Sequence, residues 1–511
     1  MKYPHAIIIG AGIGGLATAN LLAKSGWTVD VYEQKDIPGG RAGLLELNSF
    51  IYDTGPSWYL MPEVYEHYFD LLGVKVSDEL DLVRLDPAYT VFFDYHAPIT
   101  IHSNTAVDRA TFAAIEPGAD RALAKYLSSA KLTYELAKKY FLYNPFSRLH
   151  TLFHPEVLRH SVRLIRLLST SLHRFVGSSF KSQVLQQTLE YPAVFLGTSP
   201  FKAPAMYHLM SHLDLEQGVF YPRGGLYELI KLMHRTGESL GVTYHFSSPV
   251  TAITTQSGRA NGITLADGTS VTADVVVSNA DLHFTETQLL PEPARTYPES
   301  YWQQRTPGPS ALLMYLGIKG KMPEMNHHNL FFVKDWKQNF ADIYDTKVWP
   351  DNPSMYVCKP SATDTDIAPR GTENVFVLVP LPSGTYADSE RTEAYAERCL
   401  DLLAKHTGVK DLRKRIISQK LYGPDDFASD LNSWQGGALG LGHTLFQSAF
   451  FRPGGKSRKL KNLHYVGGDT QPGIGLPMCL ISAELVYKRL TGDHSAGPLA
   501  ALKIPKDGWR T

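Results

Sequence analysis

The N-terminal pattern of apolar and polar positions predicts a strand, a turn, a helix and a second strand. The apolar run at residues 7–9 ends at Gly10, where a glycine-rich turn begins. Apolar side chains then recur at helical spacing over residues 16–24, and residues 29–32 form the next extended run. Glu33 follows, at about the 20-residue offset expected of an acid that contacts an adenosine ribose. This order is typical of a βαβ unit that binds a dinucleotide.

Each residue type in the turn has a physical reason. Gly10 permits the tight turn out of the strand, and Gly12 removes the Cβ that would collide with phosphates. Gly15 lets the helix pack closely on the sheet. Ile13 and Gly14 complete the loop, whose backbone N–H groups and helix N-terminus attract a pyrophosphate.

Two segments near the C-terminus favour FAD over NAD as the dinucleotide. An extended flavin needs a second contact far along the chain, and residues 463–469 indicate a strand that ends in an acid, Asp469. Residues 472–477 then open a helix, with Pro477 suited to its first turn. A carboxylate there can bind the ribityl hydroxyls, and the positive end of a helix dipole stabilises negative charge near N1 of reduced flavin.

Short motifs are spread in order over nearly the whole chain. They are GAGIGG at 10–15, GGRAG at 39–43, DTGPS at 53–57, YPRGG at 221–225, SNAD at 278–281, QSAFFRP at 447–453 and GGDTQPGIGLP at 467–477. In this combination the chain resembles bacterial-type phytoene desaturases, carotenoid desaturases within the wider group of FAD-dependent amine-oxidase-like proteins. Single motifs are shared with amine oxidases, whereas the combination is more specific.

The resemblance implies an FAD site built from residues far apart in the chain. Besides the glycine turn and Glu33, the residues that it implicates are Gly40, Arg41, Pro56, Ser57, Val250, Gly468, Asp469, Gly475 and Leu476. Val250 resembles the position that contacts adenine through its backbone in this superfamily. One complete GxGxxG is present, so a second nucleotide site for NADPH is not evident. The electrons of the reduced flavin would then pass to oxygen or a membrane quinone.

We expect an α/β fold in which a Rossmann-like FAD-binding lobe of the amine-oxidase (GR2) type is interleaved with two other parts. The FAD lobe is predicted over residues 1–88, 218–284 and 458–495. Residues 89–217 are expected to form a helical lid that associates with a membrane. Residues 285–457 are expected to form a substrate-binding lobe.

Composition and charge exclude several classes of function. The 511 residues include 50 Lys+Arg and 50 Asp+Glu, so no attraction to nucleic acid is implied. Cys358, Cys399 and Cys479 form no CxxC pair, which suits a reducing cytosol. His327 and His328 are an isolated pair, so no metal site is expected. The sequence leaves no room for a signal peptide and has no charge-free apolar stretch of about 18 residues, so no membrane span is expected.

A peripheral membrane contact is predicted near residues 157–181, where no acidic residue occurs. Apolar positions at helical spacing are Leu158, Val162, Ile165, Leu168, Leu172 and Phe175 or Val176, and the basic residues, mainly on the other side, are Arg159, Arg163, Arg166, Arg174 and Lys181. Such a helix can lie on an anionic membrane surface, although a helix packed on the core gives the same pattern. A lipid-soluble substrate favours the membrane. We therefore expect a cytoplasmic protein at the inner face of the cell membrane.

The substrate implied by the resemblance, phytoene, has no polar group, so its recognition must rest on shape. Side chains that can line an apolar tunnel are Trp58, Tyr59, Leu60, Met61, Tyr191, Phe195, Phe201, Met206, Tyr207, Phe331 and Phe332. We expect only the run at 58–61, which follows the GPS turn, to do so. Flavin accepts a hydride from an allylic carbon while the neighbouring carbon loses a proton. The sequence identifies no proton acceptor; His443 and Arg452 are candidates, and a structural role suits His443 better.

Three functions are open at this stage. The first is FAD-dependent desaturation of 15-cis-phytoene through successive dehydrogenations toward lycopene or neurosporene in carotenoid biosynthesis. The second is a related flavoenzyme, such as a desaturase of diapophytoene, a carotenoid isomerase or saturase, or an amine oxidase. The third is a non-catalytic binding protein similar to GDP-dissociation inhibitors, against which the retention of residues 39–41, Asp469 and Gly475 argues.

Overall fold

The computed structural model describes residues 4–147, 154–409, 411–503 and 509, which form a mixed α/β architecture. The strands, in chain order, are β1 (His5–Ile9), β2 (Thr28–Tyr32), β3 (Leu44–Leu47), β4 (Phe50–Asp53), β5 (Leu82–Arg84), β6 (Tyr89–Phe93), β7 (Ile99–Ile101), β8 (Phe220–Pro222), β9 (Thr243–His245), β10 (Val250–Gln256), β11 (Arg259–Leu265), β12 (Ser270–Thr272), β13 (Val275–Ser278), β14 (Ser310–Lys319), β15 (His328–Phe332), β16 (Met355–Cys358), β17 (Thr372–Leu381), β18 (Ile416–Tyr422) and β19 (Leu463–Tyr465).

The helices surround and connect these sheets. In chain order they are α1 (Ile13–Lys24), α2 (Pro62–Leu72), α3 (Val76–Glu79), α4 (Thr105–Ile115), α5 (Ala119–Ala137), α6 (Pro155–Arg159), α7 (Ser161–Ser169), α8 (Leu172–Gly177), α9 (Gln183–Glu190), α10 (Met210–His212), α11 (Tyr227–Ser239), α12 (Leu282–Phe284), α13 (Glu299–Trp302), α14 (Trp336–Ala341), α15 (Ser389–Thr407), α16 (Leu412–Arg415), α17 (Pro424–Leu431) and α18 (Leu476–Thr491).

A parallel five-stranded sheet has the predicted βαβ unit at its centre. Its strand order is β19-β13-β1-β2-β9, and every neighbouring pair is parallel. Helix α1 is buried over residues 13–23 and contacts α11 and α18, which explains its small and apolar composition. Because parallel strands end at the same edge of a sheet, the segments that follow Ile9, Ser278 and Tyr465 meet there.

A second, seven-stranded sheet has the order β18-β14-β17-β16-β15-β6-β7. Its pairs are antiparallel except for β15 with β6, which are parallel. Residues 89–101 therefore belong to this sheet and not to the helical part predicted for 89–217. The apolar residues of β6 are buried by pairing with β15, which lies more than 200 residues later and so gives no signal in the local sequence. The helical part begins with α4.

The single amphipathic helix predicted near 157–181 is instead divided into α6, α7 and α8. The break after Ser169 arises because Thr170 is extended and pairs with a distant segment. The Ala205 N–H donates to the Thr170 carbonyl, and the Leu172 N–H donates to the Ala203 carbonyl. This pairing ends the helical hydrogen bonding and directs α8 into the core.

The division changes which of the apolar positions face solvent. Leu172 and Val176 on α8 are buried, whereas Val162 and Ile165 on α7 are 81% and 64% exposed. The predicted apolar face is therefore exposed to solvent only in the first half of the segment. Among the described residues, no helix combines the length and the apolar character that a bilayer crossing requires.

Replacing Gly15 tests the packing of α1 on the sheet. A Cβ at Gly15 would lie 2.1 Å from the Gly10 carbonyl oxygen, so Gly15→Ala forces backbone to move. We expect the free energy of unfolding to fall by about 1–3 kcal/mol, measured by chemical denaturation, as for other overpacked sites. Gly454→Ala is the matched control, because its Cβ would meet no atom within 4 Å. Equal stability of the two variants would contradict this packing.

Candidate functional site

The glycine turn packs against the side chain of Asn279, which follows β13 and which sequence reasoning did not single out. A Cβ at Gly12 would lie 2.6 Å from Asn279 Nδ2, and a Cβ at Gly14 would lie 2.6 Å from Asn279 Oδ1. A Cβ at Gly467, after β19, would lie 3.2 Å from the same Oδ1. Two distant glycine segments thus converge on one amide group at the edge of the parallel sheet, where a pyrophosphate binds in such folds.

Glu33 lies at the end of β2 and is buried. Its Oε2 accepts a hydrogen bond from the Ala11 N–H at 2.7 Å, and its Oε1 accepts one from the Lys35 N–H at 2.9 Å. Each carboxylate oxygen can accept a second bond, so Glu33 can still bind ribose hydroxyls. Val250, at the start of β10, lines the same cavity as Glu33.

The GGR segment packs directly on the glycine turn. A Cβ at Gly40, whose φ is +57°, would lie 3.4 Å from Gly12 Cα. Arg41 Nη2 donates to Ser433 Oγ at 2.9 Å and lies 4.0 Å from Asp281 Oδ2. Arg41 Nε is buried without a hydrogen-bond partner among the described residues. This guanidinium therefore keeps a free donor for an acceptor in the cavity.

Pro56 and Ser57 line the next part of the cavity wall. Ser57 Oγ and Tyr356 OH are 2.6 Å apart, and Tyr356 OH is 2.8 Å from His328 Nδ1. The Trp58 ring stacks on His328 with a centroid separation of 4.4 Å. These contacts fix the orientation of Ser57 and Trp58 at the point where the polar and apolar parts of the wall meet.

Two carboxylates, the buried Asp281 and the half-buried Asp469, line the cavity beside each other. Asp469 Oδ1 accepts from the Leu441 N–H at 3.0 Å, and Asp281 accepts from the N–H groups of Phe284 and Trp434, each at 3.1 Å. Burial and then the charge of Asp469 raise the pKa of Asp281 to about 7. A protonated carboxyl donates and an ionised one accepts, so the pair can bind hydroxyl groups of a ligand.

His443 holds the turn that precedes α18. Its Nε2 accepts from the Ile474 N–H at 3.2 Å, so Nδ1 carries the proton and donates to Tyr207 OH at 2.8 Å. Tyr207 OH in turn donates to Ser448 Oγ at 2.8 Å. Burial, with a smaller effect of Arg452, keeps the pKa of His443 well below its ordinary value. The neutral ring, engaged at both nitrogens, positions the turn that leads to Gly475 and Leu476.

Arg452 is buried and donates to four backbone carbonyls. These belong to Leu441 at 2.8 Å, Gln447 at 3.0 Å, Gly468 at 2.6 Å and Thr470 at 3.1 Å. Its side chain does not line the cavity. Arg452 is therefore placed to hold the segment that carries Asp469, which is a positioning role.

One cavity of about 720 Å³ joins all these features. Every residue predicted to bind the cofactor lines it except Gly15, which instead packs against the Gly10 carbonyl. Its apolar part is lined by Trp58, Leu60, Met61, Tyr191, Phe195, Met206, Tyr207, Phe332, Trp336 and Phe340. Of the side chains considered for a tunnel, Tyr59, Phe201 and Phe331 do not line it, because they pack in the protein interior. The apolar wall extends well beyond the run at 58–61 that we expected.

The histidine pair is not isolated, contrary to the sequence-based expectation. Strand pairing places Cys358 opposite His328, and the possible ligand atoms of His327, His328 and Cys358 lie within 4.8 Å of one another. The two Nδ1 atoms are engaged by Thr363 Oγ1 and Tyr356 OH, each at 2.8 Å. The cysteine comes from a neighbouring strand, which local sequence cannot reveal. Burial lowers the pKa of His327 to about 3, so the ring is neutral.

The residues present fit FAD. The glycine turn leaves open space where a Cβ would intrude, Arg41 Nε has no partner among the described residues, and Glu33 and Asp469 offer acceptors at two ends of the polar wall. Gly475 and Leu476 begin α18 at the same cavity, so the positive end of a 16-residue helix faces it. A dinucleotide with an extended flavin needs each of these groups.

A comparison with protein families matches residues 13–486 to the model of the flavin containing amine oxidoreductases. The chain belongs to this family. It is 41% identical to a carotenoid 3,4-desaturase of Haloarcula japonica over 95% of this chain and 98% of the relative. It is 34% identical to a zeta-carotene-forming phytoene desaturase of Myxococcus xanthus over 98% of both chains. An oxidoreductase of Methanosarcina mazei shares the fold, with a TM-score of 0.62 and 16% identity over 95% of this chain and 100% of that chain.

These findings confirm the predicted α/β fold, the family, FAD as the cofactor and an oxidoreductase activity. The oxidoreductase family and the relatives named as desaturases argue against a non-catalytic role similar to GDP-dissociation inhibitors. The site residues that sequence reasoning missed are Asn279, Asp281 and Tyr356. The first two belong to the SNAD motif directly after β13, so their position at a strand end was a usable signal. Tyr356 comes from a distant strand, β16, and had no signal.

Replacing Asp469 tests the flavin-binding role of the polar wall. Asp469→Ala removes a half-buried charged acceptor worth about 1–3 kcal/mol, so we expect about 10- to 100-fold weaker FAD binding, measured by fluorescence titration of the apoprotein. Asp267→Ala, in the exposed turn between β11 and β12, is the control and should bind FAD normally. Unchanged affinity in Asp469→Ala would remove Asp469 from the site.

Proposed function

We propose that the chain is an FAD-dependent carotenoid desaturase that acts on phytoene and introduces successive double bonds toward lycopene or neurosporene. The activities named for the two relatives support this class of reaction. The electron acceptor for the reduced flavin is oxygen or a membrane quinone.

The observation that carries the proposal is the single cavity that joins the flavin cradle to an apolar channel. Trp58 directly follows Ser57, and its ring centroid lies 6.2 Å from that of Tyr191 and 5.4 Å from that of Phe195. The channel continues past Phe332 and Phe340. A long wall of this kind suits a hydrocarbon, because shape is the only feature by which such a molecule can be recognised.

Bound FAD supplies the hydride acceptor. The residues of the chain orient the polyene beside the flavin and keep water away from it. Trp58, held by its stack on His328, forms the wall at this junction. Exclusion of water protects an electron-deficient carbon chain from attack while the hydride leaves.

The channel reaches the surface at a group of apolar side chains that we call the apolar rim. Its members are Leu158, Val162, Ile165, Leu168, Leu445, Phe446, Phe450 and Phe451, all of which are exposed. Leu168, Leu445, Phe450 and Phe451 also line the cavity. The rim therefore supports entry of a lipid-dissolved substrate from a membrane surface.

A second candidate function is 3,4-desaturation of a carotenoid that already contains conjugated double bonds. Identity to the Haloarcula relative, 41%, exceeds identity to the Myxococcus relative, 34%. Both reactions remove two hydrogens from a polyene, so the same flavin site serves either one. They differ in which carbon atoms the channel presents to the flavin.

Expression in pigment-producing cells separates the candidates. In cells that make phytoene, we expect coloured products whose spectra match lycopene or neurosporene. A chain that leaves phytoene unchanged but shifts the absorption of lycopene to longer wavelength would be a 3,4-desaturase instead. Conversion of diapophytoene but not of phytoene or lycopene would show that the chain acts on the shorter substrate, diapophytoene.

Charge placed in the apolar rim tests the membrane contact. The double variant Val162→Glu/Ile165→Glu loses two apolar anchors, each worth about 1.5–3 kcal/mol when fully buried, so vesicle binding should fall at least about 10-fold in a sedimentation assay. Ile417→Glu, at an exposed isoleucine on β18, is the matched control. Normal vesicle binding by the double variant would contradict membrane entry through the rim.

The basic residues beside the rim give a separate test. Arg159→Glu/Arg166→Glu should weaken binding to anionic vesicles by about 1 kcal/mol per residue and leave binding to neutral vesicles unchanged. Arg163 is left out, because its guanidinium donates to Ser129 and Thr133 within the fold. Equal losses on both kinds of vesicle would contradict the electrostatic contribution.

A further inference from the structure

Asp214 is a buried acid one residue away from the channel wall. It lies in the short π-helical segment Leu213–Gln217, and the preceding residue, Leu213, lines the cavity. Its Oδ2 accepts hydrogen bonds from Tyr191 OH at 2.7 Å and from Tyr89 OH at 3.0 Å. Its Oδ1 is buried and has no hydrogen-bond partner among the described residues.

Among the described residues, no cation neutralises this carboxylate. Asp214 forms no ion pair with any of them, although it is only 4% exposed. The ionisable groups that face it from the packed elements are Tyr89 on β6, Asp108 on α4, Tyr126 on α5 and Tyr191. A buried acid without an ionic partner lowers stability, so its presence calls for an explanation.

Tyr191 connects this acid to the channel. It lines the cavity, whereas Tyr89, which bonds the same oxygen, does not. The Tyr191 ring lies among aromatic neighbours, with centroid distances of 6.2 Å to Trp58, 5.7 Å to Phe195 and 6.2 Å to Phe332. The side chain that donates to Asp214 thus belongs to the wall that continues from the flavin-side residue Trp58.

We propose that Asp214, acting through Tyr191, accepts the proton that the polyene loses during desaturation. This role rests on the proposed function, which leaves the proton acceptor unassigned. One carbon of the substrate loses a hydride to FAD, and the adjacent C–H bond breaks so that its electron pair forms the new double bond. The proton passes to the Tyr191 oxygen while the hydroxyl proton of Tyr191 passes to Asp214 Oδ2. Two hydrogens leave the substrate, and the carboxylate becomes a carboxylic acid.

The charge state of Asp214 suits this role. Burial raises the pKa of Asp214 to about 6, while the hydrogen bonds from Tyr191 and Tyr89 limit the rise. The group is therefore an ionised acceptor at neutral pH and loses this capacity as the pH falls through about 6. The buried negative charge and the aromatic faces also stabilise positive charge that develops on the substrate.

Two other titratable groups near the channel, His443 and Glu63, are already engaged. Both nitrogens of His443 are held by Tyr207 and Ile474. Glu63, which accepts from Tyr134, is paired with Lys138 at 3.5 Å. Asp214 is distinguished from them by its free Oδ1 and by the absence of a nearby cation among the described residues.

The pH dependence of desaturation tests the proposal. With the purified holoprotein, phytoene in vesicles and an excess of electron acceptor, the wild-type rate should fall below about pH 6. Asp214→Asn keeps the shape of the side chain but removes the proton acceptor, so the rate should fall at least about 100-fold. The residual rate should also lose the acidic limb, which is the fall of the rate below about pH 6. A variant that keeps both the rate and the limb would overturn the proposal. If the wild type converts no carotenoid at all, the proposed function fails instead.

Three tyrosine variants separate proton transfer from packing. Tyr191→Phe should lower the rate about 10- to 100-fold. Tyr89→Phe removes a donor to the same oxygen, so it should mainly move the acidic limb to higher pH. Tyr126→Phe, at a buried neighbour whose hydroxyl makes no hydrogen bond among the described residues, should match the wild type. Equal losses in Tyr191→Phe and Tyr126→Phe would overturn the relay.

Two measurements without substrate report on Asp214 itself. An infrared difference spectrum between about pH 5 and about pH 8 should contain a carboxylic acid band that is absent from Asp214→Asn. The same variant should unfold at an equal or higher temperature than the wild type, because it no longer buries an unpaired charge. A lower melting temperature together with an unchanged infrared spectrum would make Asp214 a structural residue and contradict the proposal.

Discussion

The contact between Asn279 and two glycine segments is the interaction on which the site depends. The side chain lies where β1, β13 and β19 end, and a Cβ at Gly12 or Gly14 would come within 2.6 Å of its amide group. This close approach brings the turn after β1 and the segment after β19 together, although more than 450 residues separate them in sequence. The cradle for the nucleotide and the support for the flavin are therefore built by the same contact.

A hydrocarbon substrate imposes a second constraint on this cradle. Polar groups hold the cofactor, but none can recognise the substrate, so the wall must change from polar to apolar within a short distance. The change occurs between Ser57 and Trp58, which are fixed by Tyr356 and His328. Beyond it, Asp214 lies behind the aromatic wall and is connected to the channel by its hydrogen bond from Tyr191. This arrangement keeps a charge close to the proposed reaction without exposing it to the substrate.

Sequence reasoning was most successful where function depends on local geometry. The glycine turn, Glu33, the acid at 469 and the helix that begins at Leu476 all lie as expected, because each is set by residues adjacent in sequence. It was least successful where partners come from distant strands. The pairing of β6 with β15, the approach of Cys358 to His328 and the break of the amphipathic helix at Thr170 all depend on tertiary contacts.

The same distinction explains the two candidates for catalysis. His443 and Arg452 lie in a motif that the resemblance marks, and such a motif does not distinguish residues that bind a ligand from residues that hold the backbone around it. Hydrogen bonds to Ile474 and to four carbonyls assign both side chains to positioning. Asp214 lies in none of the recognised motifs, and its relation to the channel depends on Tyr191, which is 23 residues away in sequence.

The central claim is that one cavity brings the flavin and a polyene into direct contact. An anaerobic titration of the holoprotein with phytoene in vesicles tests it most directly. The account predicts that the oxidised flavin absorbance is lost on mixing, and that one new double bond forms for each flavin reduced. Flavin that stays oxidised with every carotenoid tested, but is reduced by an amine, would contradict it.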